Sequence, residues 1–268
     1  MEINRNNINE LVKKCDVRPD KDYGQNFLIE PQIAEKIVDV LDVKNSDSVL
    51  EIGPGLGSLT HFLAGKAKID VCDIDERMIN FLKIFYKDEL NYILNDVRKI
   101  DVSKYDKIIG NLPYNITTEL VTFLLMNSNA KKMVLMCQSE AFNRFFDKSG
   151  ENYGPVSVLL HLLGKSNKVL TVKPGSFYPA PKCNSLVFTF VYEPVIDKQI
   201  AISVYKMCKV LFLNRRKTIY NNLKNYSKDI ETIEKILKEL NIEPNRRPDT
   251  ISPIEYLKMY QLFTNKNV

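Results

Sequence analysis

The run Gly110-Asn111-Leu112-Pro113-Tyr114-Asn115-Ile116 concentrates the most chemistry in the fewest residues of this 268-residue sequence. Asn111 offers a side-chain carbonyl as an acceptor. Pro113 has no N–H, so the turn it sits in leaves the Leu112 carbonyl open to a ligand. Tyr114 adds a flat face for stacking. Two acceptors beside a stacking ring describe a pocket for a planar amine. The run follows Lys107–Gly110, which reads as a short strand, so it occupies a strand tip.

A second constellation lies upstream. Val49-Leu50-Glu51-Ile52 reads as the end of a buried strand, and Gly53-Pro54-Gly55-Leu56-Gly57 as the turn that opens the next helix. Glycine allows positive φ and close approach of backbone to a ligand. No G-K-[ST] follows, so this is not a phosphate loop. Ser58 stands where a G-x-G-x-x-G fingerprint needs its last glycine. The next strand ends in Cys72-Asp73-Ile74-Asp75. A carboxylate at such a tip can bond a ribose diol, and it can equally cap the following helix. The spacing favours ribose for Asp73 and capping for Asp75. Asn95-Asp96 repeats the placement one strand on, where a carboxylate can accept from the exocyclic amine of a purine or simply close a turn.

The elements that must position these residues alternate strand and helix. Helices are expected at Pro31–Leu41, from Ser58 to Gly65, at Arg77–Tyr86 and at Thr118–Met126. Strands are expected at Ser48–Ile52, Lys68–Asp73, Asn91–Leu94, Lys107–Gly110 and Lys132–Gln138. That order is the pattern of an α/β doubly wound parallel sheet. Past Gly154 the pattern changes to a helix (Val156–Leu163) and two strands (Ser166–Val172, Ser185–Tyr192). After Pro194 only helices are expected: Ile200–Phe212, Lys217–Leu223, Ile230–Leu240 and Pro253–Phe263. This gives a domain over 1–193 and a small helical domain over 194–268. The first 20 or so residues are polar and expected to be loosely ordered. Met133, Met136, Phe142, Phe145 and Phe146 are expected in the core.

Composition narrows the classes. Apolar residues make up 44% and charged residues 26%, which excludes a largely disordered chain. No apolar run is long enough to span a membrane. Met1–Glu10 lacks the apolar core of a secretory leader and carries acids that suit a transit peptide poorly, so a cytoplasmic protein is expected. Five widely spaced cysteines without C-x-x-C point away from a disulfide framework. Those cysteines and two isolated histidines, His61 and His161, give no metal-ligand pattern, so no metal is expected. The net charge of +5 is uneven. Residues 194–268 carry 14 Lys+Arg against 8 Asp+Glu, leaving 24 against 25 for the rest. Such a basic module fits a polyanion partner, or a solvated lysine-rich surface. Arg215, Arg216, Lys217, Arg246 and Arg247 are the candidates for phosphate contacts, with solvated helix ends as the alternative.

These motifs, taken in order, resemble the S-adenosylmethionine-dependent rRNA adenine N6-dimethyltransferases. The likeness runs through Tyr23-Gly24-Gln25-Asn26-Phe27-Leu28, the Glu51–Gly57 turn, Asp73, Asp96 and Asn111–Tyr114. It continues through Met136–Glu140, Tyr153-Gly154, Ser157-Val158, Phe177–Ser185 and Phe212–Thr218. It implies a Rossmann-like class I methyltransferase sheet with a small C-terminal helical domain. The implied cofactor site is Gln25, Asn26, Leu28, Glu51, Gly53, Gly55, Asp73, Ile74, Asp96, Val97 and Asn111. Asn111, Leu112, Pro113, Tyr114 and Phe177 would form the catalytic pocket, with Tyr114 and Phe177 stacking on the target base. Within the family the sequence looks most like the bacterial enzyme that dimethylates two adjacent adenosines near the 3′ end of 16S rRNA, working as a monomer on the small ribosomal subunit in ribosome biogenesis. A 23S rRNA methyltransferase of the macrolide-resistance type and an assembly or transcription factor of the same ancestry remain as alternatives. The sequence departs from the family pattern at Lys21-Asp22, at Pro155, at Cys183 and in the short loop between Asp96 and Asn111. These departures touch the expected RNA contacts.

Overall fold

Short apolar runs and amphipathic segments alternate along the first half of the chain, and each becomes a strand or a helix. The computed structural model describes residues 1–14, 19 and 25–264. In chain order the elements are α1 (Ile8–Lys14), β1 (Phe27–Leu28), α2 (Pro31–Leu41), β2 (Ser48–Ile52), α3 (Thr60–Leu63), β3 (Lys68–Asp73), α4 (Glu76–Tyr86), β4 (Asn91–Leu94), β5 (Lys107–Asn111), α5 (Thr117–Asn127), β6 (Lys132–Gln138), α6 (Ser139–Phe146), α7 (Pro155–Leu163), β7 (Gly164–Val172), β8 (Phe177–Tyr178), β9 (Ser185–Tyr192), α8 (Lys198–Leu211), α9 (Ile219–Tyr226), α10 (Ile230–Glu239) and α11 (Pro253–Thr264). They gather into two units. One comprises Met1–Ala141 with Ser166–Tyr192, the other Phe142–Lys165 with Glu193–Val268.

The first unit is built on a seven-stranded sheet of order β4-β3-β2-β5-β6-β9-β7. Neighbours from β4 through β6 pair parallel, and β9 pairs antiparallel to β6. The doubly wound arrangement is therefore as expected, with one reversed strand added. In β2, Val49 to Ile52 are all buried, as a strand covered on both faces requires. The chain winds outward from β2 through β3 to β4, then crosses back to β5 on the other side of β2. The carboxyl ends of β2 and β5 thus flank a topological switch point, where ligands of such sheets bind. Ile52 lies opposite Gly110. A Cβ on Gly110 would lie 2.6 Å from the Ile52 carbonyl oxygen, so β5 carries glycine there because nothing larger fits.

Helix α2 buries Ala34, Ile37, Val38 and Leu41, one face at i, i+3, i+4 and i+7. The N-terminal residues correct an expectation. Residues 1–14 are not loose: α1 forms, and Ile3, Ile8 and Leu11 are buried in the same apolar cluster as α2. Three buried apolar side chains, with Met1 partly buried beside them, are too sparse to read as a periodic face, yet they suffice once a core exists to receive them.

The second unit resumes at Glu193, one residue from the expected boundary, but it is larger than the expected 194–268 domain. Residues 142–165 group with the C-terminal helices. The reason is α7, whose Ser157, Val158, Leu159, Leu160, Leu162 and Leu163 are all buried. A helix so apolar needs partners on several sides, and within this unit it packs on α8 and α11. Asp197, Thr218 and Asp229 cap α8, α9 and α10 through their side chains. Buried Tyr153, Phe212 and Tyr256 form an aromatic core, with ring centroids 5.8 and 5.9 Å apart. Asn222, fully buried, donates from Nδ2 to the carbonyls of Asn214, Lys217 and Thr218. Met133, Met136, Phe142 and Phe145 are buried as expected, and Phe146 stacks on Phe142 at 3.8 Å. Among the described residues no helix is long and apolar enough to cross a membrane.

Candidate active site

The carboxyl ends of β2, β3 and β5 open into one pocket in the first unit, enclosing about 750 Å³ including its mouth. Gln25, Asn26 and Leu28 line it from the segment before α2. Glu51 lines it from the end of β2 and Gly53 and Gly55 from the turn that follows, Asp73 and Ile74 from the tip of β3, and Asn111 to Tyr114 from the tip of β5. The structure thus brings together residues as far apart in sequence as 25 and 114. Gly53, Gly55 and Gly57 all have positive φ. A Cβ on Gly55 would come within 2.9 Å of the Phe27 ring, so the turn stays bare where it faces the pocket.

Three carboxylates behave differently here. Glu51 is 1% exposed, and burial pushes its carboxyl up to about 8 against the bond donated by Thr60 Oγ1 at 2.7 Å. Burial also raises Asp73, to about 6, although the backbone amides of Asp75, Gly55 and Ile74 donate to it. The Asp75 N–H lies 2.9 Å from Asp73 Oδ1. Asp75 is the cap of α4, as expected, accepting from the Arg77 amide. Burial works to raise its carboxyl, but the bonds from Arg77 and from Gln25 Nε2, at 2.8 Å, prevail and hold it below the usual value. Gln25 is thereby fixed at the pocket wall.

Asn111 carries the most telling feature. Its Nδ2 donates to the Asn26 carbonyl at 3.0 Å, which fixes the amide plane. Its Oδ1 is buried and has no hydrogen-bond partner among the described residues. A buried unpaired acceptor costs roughly 1–3 kcal/mol, so it marks a place where a donor is to be received. Beside it the Leu112 N–H donates to the Met136 carbonyl. Thr117 Oγ1 donates to the Pro113 carbonyl at 2.9 Å, fixing the turn into α5. The Tyr114 hydroxyl is 2.8 Å from Ser185 Oγ, which anchors the ring edge.

Asp96 and Val97 lie in an adjoining cleft that shares Gly53, Asp73, Ile74 and Pro113 with the pocket. Asp96 caps the 3-10 turn Val97–Lys99 and pairs with Arg98. The turn-closing alternative for this residue is therefore realised, and the residue lines the cleft as well. Phe177 differs from expectation. The β1–β8 pairing sets it opposite Leu28, where it is 3% exposed inside the apolar cluster and does not line the pocket. Two strands of two residues each bury it, a ladder too short to read from periodicity. Tyr23, Gly24, Lys21, Asp22 and Cys15 lie outside the described residues.

The five basic candidates in the second unit divide. Arg215 donates to the carbonyls of Gly150 and Glu151 and lies over the Phe212 ring. Arg246 pairs with Glu255 at 2.7 Å. Both are engaged within the fold. Arg216, Lys217 and Arg247 are exposed, and their side chains bond no described residue. Sequence reasoning missed Phe27, Ser58 and Met136 as pocket wall, Thr60 as the partner of Glu51, and Arg98. Each lies within three residues of a recognised motif residue or at the tip of a strand next to one, which is the signal that could have found them.

A parallel sheet closed by an antiparallel strand, a glycine turn after β2 and a carboxylate at the tip of β3 define a class I methyltransferase. The chain belongs to the ribosomal RNA adenine dimethylase family, whose model matches residues 3–265. The ribosomal RNA small subunit methyltransferase A of Malacoplasma penetrans is 37% identical over 261 residues, covering 95% of both chains. The protein of the same name from Staphylococcus haemolyticus is 33% identical over 262 residues, 90% of this chain and 88% of that one. A dimethyladenosine transferase from Plasmodium falciparum superposes with a TM-score of 0.75 at 27% identity, over 89% of this chain and 98% of that one. The 23S rRNA methyltransferase ErmE shares the fold, with a TM-score of 0.69 at 20% identity over 89% and 100%.

Proposed function

We propose that this protein transfers methyl groups from S-adenosyl-L-methionine to the N6 amines of two adjacent adenosines near the 3′ end of 16S rRNA in the small ribosomal subunit, a step of ribosome biogenesis. The observation that carries the reading is Asn111 Oδ1, a buried acceptor without a donor among the described residues, on a residue that lines the switch-point pocket. The residues present fit the cofactor. The bare Gly53–Gly55 turn leaves room for it, Asp73 offers a carboxylate for a ribose diol, and Asp96 an acceptor for an adenine amine. Gln25, Asn26, Glu51 and Gly53 would hold the amino-acid end.

When bound, the cofactor supplies a methyl group already made electrophilic by its sulfonium, so the work left to the protein is mostly positioning. Adenine N6 is a weak nucleophile because its lone pair is delocalised into the ring. Asn111 Oδ1 and the Leu112 carbonyl accept its two N–H bonds. That favours a pyramidal nitrogen and stabilises the positive charge that develops on it. Tyr114, held by Ser185, stacks on the base for roughly 1–3 kcal/mol, offsetting part of the cost of unstacking it from the RNA. The reaction needs no strong base in the pocket, in keeping with a site built from amide, carbonyl and aromatic groups. Arg216, Lys217 and Arg247 are the groups free to meet RNA phosphates.

Labelled methyl transfer to unmodified small subunits, unmodified large-subunit rRNA and duplex DNA tests the reading. Label in N6,N6-dimethyladenosine near the 3′ end of 16S rRNA is expected. Label confined to 23S rRNA would overturn the target, and cofactor binding with no label anywhere would favour an assembly factor.

A further inference from the structure

The cleft beside the pocket contains an ion-pair bridge that the proposed reaction does not use. Asp96 Oδ1 accepts from the Arg98 backbone N–H and from Arg98 Nε, both at 2.9 Å. Nε also reaches Asp96 Oδ2 at 3.0 Å, and Arg98 Nη2 donates to the same oxygen at 2.5 Å. Nη1 of the same guanidinium turns the other way, to Glu119 Oε1 at 2.5 Å in the first turn of α5. Arg98 is therefore held between a carboxylate at the tip of β4 and one on the helix that follows Asn111–Tyr114. Arg98, Asp96 and Ile116 all line the cleft.

The stereochemistry of the fork matters. An ionised carboxylate offers about four lone-pair sites. Three hydrogens meet them: the backbone N–H on Oδ1, an Nη2 hydrogen on Oδ2, and the single Nε hydrogen shared between both oxygens. Against about four sites, three hydrogens leave the carboxylate able to accept one more donor. The carboxylate cannot rotate about its Cβ–Cγ bond without breaking the fork, and its side chain is only 20% exposed, so water screens the pair incompletely.

We infer that Arg98 is a positioning residue for the adenine of the methyl donor, fixing Asp96 so that its one free acceptor meets the exocyclic amine and tying that acceptor to α5. The inference rests on the cofactor reading above. It assigns Arg98 an effect without contact, exerted through Asp96. The same pairing holds the Asp96 carboxyl below its usual value, consistent with a group kept as an acceptor. A fixed acceptor discriminates. It bonds a 6-amino purine and opposes a 6-oxo purine, whose oxygen would face the carboxylate.

The test is isothermal titration of wild type, Arg98→Ala and Arg98→Lys with S-adenosylhomocysteine and its 6-oxo (inosine) analogue. Wild type is expected to prefer the amino ligand. Arg98→Ala should lose about tenfold in affinity for it, the effect of one hydrogen bond to a charged group, and little for the oxo ligand, so the preference narrows. Arg98→Lys, which keeps a charge beside Asp96, should recover part of it. Equal or tighter binding of the amino ligand by Arg98→Ala would overturn the inference. So would an equal loss for both ligands, the mark of a scaffold role. Wild type that binds neither ligand would overturn the cofactor reading, and this inference with it.

Discussion

Replacing Glu51 by Gln should stabilise the ligand-free protein, and by an amount that depends on pH. Glu51 sits at the end of β2 with 1% exposure, and its carboxyl is pushed up to about 8 from an ordinary value of 4.5, chiefly by burial. A raised acid favours the folded state while both states hold the proton, below 4.5. That contribution is lost as pH rises towards 8, because the unfolded chain ionises first. Relative to a side chain that never ionises, the folded protein is penalised by about 3 kcal/mol at pH 7 and about 5 kcal/mol above pH 8. Gln has the shape of the protonated carboxyl and keeps an acceptor for Thr60 and a donor on the other atom, so packing is comparable. For a chain of this size about 3 kcal/mol corresponds to roughly 6–12 °C in Tm. Thermal unfolding of both proteins from pH 4 to pH 9 should show coincident curves near pH 4, a gap that opens through pH 6 and 7, and a plateau past pH 8. A gap independent of pH, or a variant less stable than wild type at pH 8, would mean that burial does not hold a proton on Glu51.

Gly55→Ala forces a side chain into φ +55 and against the Phe27 ring. It should cost about 1–2 kcal/mol of stability and weaken S-adenosylhomocysteine binding by titration, whereas Gly65→Ala, in open space, should leave binding unchanged. Asn222→Ala removes the donor shared by three carbonyls of the Asn214–Thr218 segment. It should cost about 2–3 kcal/mol in urea unfolding. Arg216→Ala should lower RNA affinity and reduce the salt dependence by about one phosphate contact. Arg246→Ala, which breaks the Glu255 pair, should instead appear first as lost stability in the same melts.

The residues that announce themselves in the sequence are those whose role is local. The Gly53–Gly57 turn needs positive φ, Asp75 caps the helix it precedes, and Asn111–Tyr114 follows its own strand. Each can be read within a few residues, and the alternation of β and α then brings their tips together. Partners supplied by distant segments were not legible. The pairing of Arg98 with Glu119 spans 21 residues, and nothing in Val97-Arg98-Lys99 shows it. The family resemblance sets Phe177 against the target base, and the two-residue β1–β8 ladder that buries it instead has no period to read. Arg215 and Arg246 look like Arg216 and Arg247 in sequence. The fold spends the first pair on the Gly150 and Glu151 carbonyls and on Glu255, and leaves the second pair in solvent. Helix α7 was legible as a helix, yet its allegiance to the C-terminal helices depended on an apolar surface that has meaning only beside α8 and α11.

Asn111 Oδ1 is the acceptor proposed to prepare the target amine. Its most direct test is single-turnover methyl transfer to unmodified small subunits by wild type and Asn111→Ala, with S-adenosylhomocysteine affinity measured on the same preparations. Wild type should form N6,N6-dimethyladenosine. Asn111→Ala should fall by roughly 10²–10³-fold, as when one stabilising contact to developing charge is removed, while still binding the cofactor product. Transfer by Asn111→Ala at the wild-type rate would contradict the account.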